Sequence, residues 1–103
     1  MQKNPDYVLE YTAASRDDVR EIVLWYRNEK EGLEDRFLLS LEAAFNSIKG
    51  NPQVYQINFD GVRSLLLKRF PYRAYYFLDT NRIIILGVLH AKRSPRLIRK
   101  RVK

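Results

Sequence analysis

The hydrophobic positions change period along the chain, and the changes divide it into a strand, two helices and a group of strands. Residues 7–11, YVLEY, are short and aromatic-rich and follow Pro5, the composition of a first strand. Further on, Val19, Ile22, Val23 and Tyr26 fall at i, i+3, i+4 and i+7, one helical stripe suited to packing on a sheet. Trp25 and Leu24 widen the stripe, while Arg16, Arg20, Arg27 and Glu31 take the outer face. Ser15 reads as the N-cap, with Asp17 and Asp18 in the first turn where the helix dipole favours acids, and Asp18 at the capping-box position. Gly32 separates this helix from a second stripe, Phe37, Leu38, Leu41, Ala44, Phe45 and Ile48, which ends in Lys49, Gly50, Asn51 and Pro52. A linker of about three residues makes the two helices an antiparallel hairpin.

Residues 51–61 read as a loop whose Val54, Tyr55, Ile57 and Phe59 fold back on the core. Three apolar runs follow, at 62–67, 74–78 and 83–89, built from β-branched, leucine and aromatic residues. Phe70-Pro71-Tyr72 breaks the first from the second and Asp79-Thr80-Asn81 the second from the third, so the simplest arrangement is an antiparallel meander. The expected fold is α+β: an N-terminal strand, a helical hairpin, then a three-stranded antiparallel meander, in a single small domain over residues 1–103. Residues 96–103 form a basic tail, either a frayed end or a short amphipathic helix that orders on a partner.

Charge sharpens this picture through its placement. The net charge is +7; residues 1–91 hold twelve Lys/Arg and twelve Asp/Glu, so the whole excess lies in the last twelve residues, with seven bases and no acid. Residues 61–91 hold five bases against one acid, Asp79, so the meander and tail form a basic side opposite acidic helices. Such a surface raises encounter rates with RNA, DNA or an acidic protein segment without choosing among them. Lys68, Arg69, Arg73, Lys92, Arg93, Arg96, Arg99, Lys100 and Arg101 are the candidate contacts for a target or a nucleic acid. The absence of cysteine excludes disulfides, thiolate metal sites and cysteine nucleophiles, and suits a reducing cytoplasm. The N-terminus lacks a signal-peptide core, and no apolar run approaches the roughly 20 residues of a membrane span. The expected location is the cytoplasm.

Four pieces of the sequence, in order, resemble the RelE/ParE superfamily of toxins from type II toxin-antitoxin modules, some of them first described as plasmid stabilisation proteins. They are Asp18-Val19-Arg20-Glu21-Ile22-Val23-Leu24-Trp25-Tyr26; Gly32-Leu33-Glu34-Asp35-Arg36-Phe37-Leu38; Asn51-Pro52-Gln53-Val54-Tyr55; and Val62-Arg63 through Lys68-Arg69-Phe70-Pro71-Tyr72-Arg73-Ala74-Tyr75-Tyr76, closed by Val88-Leu89-His90-Ala91-Lys92-Arg93-Ser94-Pro95. The resemblance implies two possible activities. ParE-like members poison DNA gyrase by binding it, and RelE-like members cut messenger RNA in the ribosomal A site. Lys68-Arg69-Phe70-Pro71-Tyr72 and His90-x-x-Arg93-x-Pro95 look more like the ParE branch, although Ser94 stands where that branch often has aspartate. Either activity implies a cognate antitoxin with an acidic amphipathic segment.

By the same resemblance, Arg73 and Arg93 match arginines of the RNA-cleaving members and would clamp a phosphate, with His90, the lone histidine, as acid or base. No tyrosine follows Tyr76, whereas several RNA-cleaving members place one after the last strand, and this weighs against catalysis. A histidine ending an apolar strand is otherwise a hydrogen-bonded fold residue, and Arg73 an ion-pair partner. Phe70, Tyr72, Tyr75, Tyr76 and Phe77 are a base-stacking platform or, for most of them, core. Scattered glycines and the lack of metal-ligand clusters point to no cofactor and no metal. A non-toxic binding module on the same fold is the remaining alternative.

Overall fold

The computed structural model describes residues 6–102. Strand β1 (Val8–Tyr11) leads into helix α1 (Ala13–Glu29), and α2 (Leu33–Gly50) follows. Then come β2 (Ile57–Phe59), β3 (Val62–Leu66), β4 (Tyr72–Asp79), β5 (Arg82–His90) and a terminal helix, α3 (Arg96–Arg101). The sheet order is β1-β5-β4-β3-β2, antiparallel throughout except where β1 lies parallel to β5. The expected strand, hairpin and meander are therefore present. β2 is an additional strand in what reads as a loop, and the N-terminal strand joins the sheet beside the last one.

Helix α1 begins earlier than its acids suggest. Thr12 is the N-cap: its Oγ1 accepts from the Ser15 N–H at 3.1 Å and donates to the Ile85 carbonyl at 3.1 Å. Thr12 also donates its own N–H to Ile85 O at 3.2 Å, so the chain leaves the sheet and enters the helix at one residue. Ser15 sits buried in the first turn, donating its hydroxyl to Thr12 O, and is not the cap. Between the helices Gly32 adopts φ +87°, a left-handed turn open to glycine without strain. Arg27 Nε donates to Glu34 Oε2 at 3.2 Å across the same turn.

The hairpin covers one sheet face. Ile22, Phe37, Leu41, Ala44 and Ile48 pack on Leu67, Ala74, Tyr76, Ile83, Ile85 and Val88. Leu24 and Trp25 do not widen that contact, being 48% and 54% exposed on the far side of α1. In the segment after α2, Tyr55 and Phe59 pack against the core as expected, but Val54 and Ile57 point to solvent. Arg63 holds this segment by donating to the carbonyls of Gln53 and Tyr55 at 2.9 and 2.7 Å.

The second sheet face has its own apolar cluster, Val62, Tyr75, Leu86 and Leu89, closed by Ile98 of α3. Residues 96–102 of the tail are thus neither a frayed end nor a helix waiting for a partner; they dock on their own sheet, and residue 103 lies outside the described residues. β1 reaches only Ile85 along β5, which leaves the second half of β5 without a strand on that side. Side chains take the missing strand's place. The Val88 N–H donates to Asp18 Oδ2 at 3.0 Å, and Arg101 Nη1 donates to Leu86 O at 2.9 Å. Arg101 also grips Asp18 through two bonds, of 2.7 and 3.1 Å. The register of β4 on β5 shifts between Tyr75 and Tyr76, so Leu86 bulges there, within reach of Arg101.

Candidate functional site: a cationic rim and an apolar groove

Two turns meet at one end of the sheet. The β3–β4 loop carries Lys68 and Arg69, and the turn after β5 carries Lys92 and Arg93. Ala91 N–H donates to Pro71 O at 2.7 Å, tying the two turns side by side. The β3–β4 loop is also fixed from below, because Ser40 of α2 donates its hydroxyl to Lys68 O at 2.6 Å. Arg69 itself lies at φ 71°, a left-handed conformation that a non-glycine residue adopts at some cost and that surrounding contacts must hold. Both loop cations are exposed.

Arg73 stands on β4 opposite Leu66 and Leu89, on the face away from the hairpin. Its Nη1 donates to Ser64 Oγ at 3.2 Å, and Ser64 in turn donates to Asn58 Oδ1 at 2.7 Å. Among the described residues Arg73 has no carboxylate partner, nor do Lys68, Arg69, Lys92, Arg93, Arg96, Arg99 or Lys100. Of the nine candidate cations, Arg101 alone is locked in an internal ion pair, and its role is in the fold. Arg99 lies 4.7 Å over the Phe59 ring, a cation–π contact that leaves its outer donors free.

His90 is engaged by its neighbours. Its Nδ1 accepts the Lys92 N–H at 3.1 Å, and its ring meets Tyr72 edge-on with centroids 5.4 Å apart. The lone histidine therefore shapes the turn that presents Lys92 and Arg93. Ser94 Oγ accepts the Arg96 N–H at 3.2 Å, the hydrogen bond an aspartate carboxylate would accept at the start of α3. The aromatic residues divide as core: Tyr75 and Tyr76 are buried on opposite faces, while Phe70 and Tyr72 pack edge-on against Tyr26 and Phe37. Burial pushes the Tyr76 hydroxyl up to about 12, and burial followed by a hydrogen bond with Tyr72 does the same to Tyr26.

Beside the rim, between α2 and β3, lies a groove that periodicity alone does not reveal. Leu39, Leu66, Tyr55 and Phe70 contribute apolar surface, with Leu39 66% and Leu66 46% exposed, and Arg36 joins Lys68 and Arg69 along its edge. The only signal in the sequence was Leu39, an apolar residue off the buried stripe of its helix. Among the described residues no cluster of acids or histidine is placed to hold a metal, and no helix is long and apolar enough to cross a membrane.

The α+β domain thus presents cations without carboxylate partners among the described residues on an open rim beside an exposed apolar groove. Residues 9–95 match the family model of the ParE toxin of the type II toxin-antitoxin system, parDE, and the chain belongs to that family. The fold is similar to that of the chromosomal ParDE toxin-antitoxin system from P. aeruginosa, with 22% identity over 82% of this chain and 96% of that one, TM-score 0.61. It is also similar to the RelBE2 toxin-antitoxin complex from Mycobacterium tuberculosis, with 24% identity over 84% and 99% of the two chains, TM-score 0.58. A double arginine-to-alanine mutant of E. coli toxin RelE in the free state aligns over 96% of this chain and 100% of its own, at 14% identity and TM-score 0.65. No curated protein sequence matches significantly. The protein is thus a toxin-type chain of the RelE/ParE superfamily.

Proposed function

We propose that this toxin acts in the ParE manner, by binding and inhibiting DNA gyrase in the cytoplasm, within a plasmid-stabilisation type of module whose antitoxin neutralises it. The observation that carries this reading is the state of His90. Its Nδ1 is committed to the Lys92 backbone, so the only histidine serves the shape of a cationic turn, and Lys68, Arg69, Lys92 and Arg93 form a gripping rim without an evident acid or base. Membership of the ParE family supports the same target. Supercoiling by purified gyrase should fall as the toxin is added, and an unchanged rate would remove the reading.

The antitoxin's acidic amphipathic segment finds complementary chemistry in the groove between α2 and β3, where the floor is apolar and the edge carries Arg36, Lys68 and Arg69. Such grooves take the apolar face of a partner helix, with the charges setting orientation and encounter rate.

One observation favours the RelE-like reading as the second. Arg73 holds a half-buried guanidinium on a serine hydroxyl without a carboxylate among the described residues, an arrangement open to a phosphate. Arg93, just past β5, would be the second arginine of a ribonuclease site acting on message in the ribosome, whereas His90, paired with Tyr72 on the hairpin side of the sheet, lies on the face opposite Arg73. Programmed ribosomes would show A-site cuts that vanish with Arg73→Ala; intact message sinks this alternative.

A further inference from the structure

The docked tail turns a charge run into an ordered ridge. Ile98 is fully buried and Arg101 is clamped to Asp18 and to Leu86 O, which fixes the rotation of α3 about its axis. With Ile98 and Arg101 facing the sheet, Arg96 and Lys100 lie exposed on the outer side, four residues apart on one helix face. Lys92 and Arg93 are exposed in the turn just before α3, and none of the four has an ion-pair partner among the described residues. No acidic residue occurs after Asp79 to offset them.

We propose that the outer face of α3 and the turn before it, carrying Lys92, Arg93, Arg96 and Lys100, form a sequence-independent contact for the backbone of double-stranded DNA. A ridge that offers only cations takes an anionic partner. Phosphates spaced along a duplex suit donors held at fixed intervals on a convex helix. Single-stranded nucleic acid is the poorer fit, because its recognition relies on exposed rings on which bases stack, and the aromatics beneath this ridge are covered. Tyr75 is buried, and Phe59 lies under Arg99. The ridge carries no base-reading geometry, so the contact positions the protein on a duplex without selecting a site. This inference does not rest on the gyrase reading, since naked DNA without enzyme is enough to show it.

The full-length chain is titrated into a fluorescently labelled duplex of about 20 base pairs, read by anisotropy at 50 and 200 mM salt. Four phosphate contacts predict a loss of affinity of roughly 100-fold between those salts, equal for two unrelated duplex sequences. The double variant Arg96→Glu with Lys100→Glu should bind at least about ten-fold more weakly at 50 mM while melting at the same temperature. Arg16→Glu with Arg20→Glu, exposed on the outer side of α1, should leave binding within about two-fold. Three outcomes overturn the proposal: no binding at 50 mM salt, equal weakening by the α1 pair, or better competition by single-stranded RNA of the same length than by unlabelled duplex.

Discussion

Asp18 and Arg101 lie 83 positions apart and meet in a two-bond fork, Nη1 to Oδ2 at 2.7 Å and Nη2 to Oδ1 at 3.1 Å. The pair does the work of a strand. Asp18 Oδ2 also takes the Val88 N–H, and Arg101 Nη1 also reaches Leu86 O, so both backbone groups of a β5 stretch that β1 does not reach are satisfied by side chains. One contact thus fastens α1, β5 and α3 together and holds the cationic ridge in place.

Removing one partner leaves the other charge in a largely dry site. Arg101→Ala should destabilise the protein by about 3 kcal/mol, because Asp18 keeps only the Val88 N–H and Leu86 O keeps only the Thr12 hydroxyl at 3.5 Å. For a chain near 100 residues that is a fall in Tm on the order of 15 °C. Hydrogen exchange at the Val88 amide should accelerate in the same variant. A loss below about 1 kcal/mol in urea unfolding would mean that the pair behaves as a solvated surface bridge.

Gly87 lies under that fork. A Cβ there would sit 2.5 Å from Arg101 Nη1, 2.6 Å from Ile98 Cδ1 and 3.0 Å from Asp18 Oδ2. Two of these atoms belong to the fork and the third to the residue that anchors α3, so none can withdraw without loosening the helix. Gly87→Ala should therefore cost about 1–3 kcal/mol and raise protease sensitivity after Arg93. Unchanged stability would show that α3 shifts outward freely.

Much of this fold is legible from periodicity. Val19, Ile22, Val23, Tyr26, Phe37 and Leu41 mark the buried faces of the hairpin, and the apolar runs of the meander mark β3, β4 and β5, because these side chains report burial directly. Asp18 misleads for the opposite reason. A carboxylate near a helix start looks like a dipole partner, and only the return of the chain from residue 101 reveals what it binds. β2 hides because Ile57 and Asn58 are exposed on an edge strand, which erases the alternation that identifies strands. Of the candidate site, the cations of the rim are plain in the sequence, whereas their division into free side chains and the internal Arg101 depends on tertiary contacts. The groove escapes a one-dimensional reading because Leu39 and Leu66 come from a helix and a strand that meet only in the fold.

High pH should expose the burial of Tyr76. Its hydroxyl donates to Pro52 O in the core, and burial holds its ionisation near 12 against an ordinary 10.0. A group whose folded pKa is raised contributes its full stability below the unfolded value and loses it as pH rises through the folded one. Stability should therefore hold below pH 10 and fall between 10 and about 12, by roughly 1.4 kcal/mol per pH unit for this group. Tyr76→Phe costs about 1–2 kcal/mol at neutral pH by stranding the Pro52 carbonyl, and should flatten the alkaline decline. Parallel urea midpoints for the two proteins across pH 9 to 12 decide it; identical slopes would mean that the phenol reaches solvent.

The groove between α2 and β3 separates two kinds of effect on antitoxin binding, provided that the antitoxin seats there. Arg36 and Arg69 are exposed on its edge, so reversing them alters the field an approaching acidic segment meets without disturbing the core. Arg36→Glu with Arg69→Glu should slow association by about ten-fold at low salt, an effect that shrinks as salt screens the charges. Leu39 and Leu66 line the groove and touch the partner only once it is seated. Leu39→Ala with Leu66→Ala should leave the association rate nearly unchanged and speed dissociation by at least about ten-fold. Stopped-flow association and a chase with unlabelled antitoxin measure the two rates separately. If both pairs leave both rates unaltered while the complex still forms, the acidic segment binds elsewhere on the toxin.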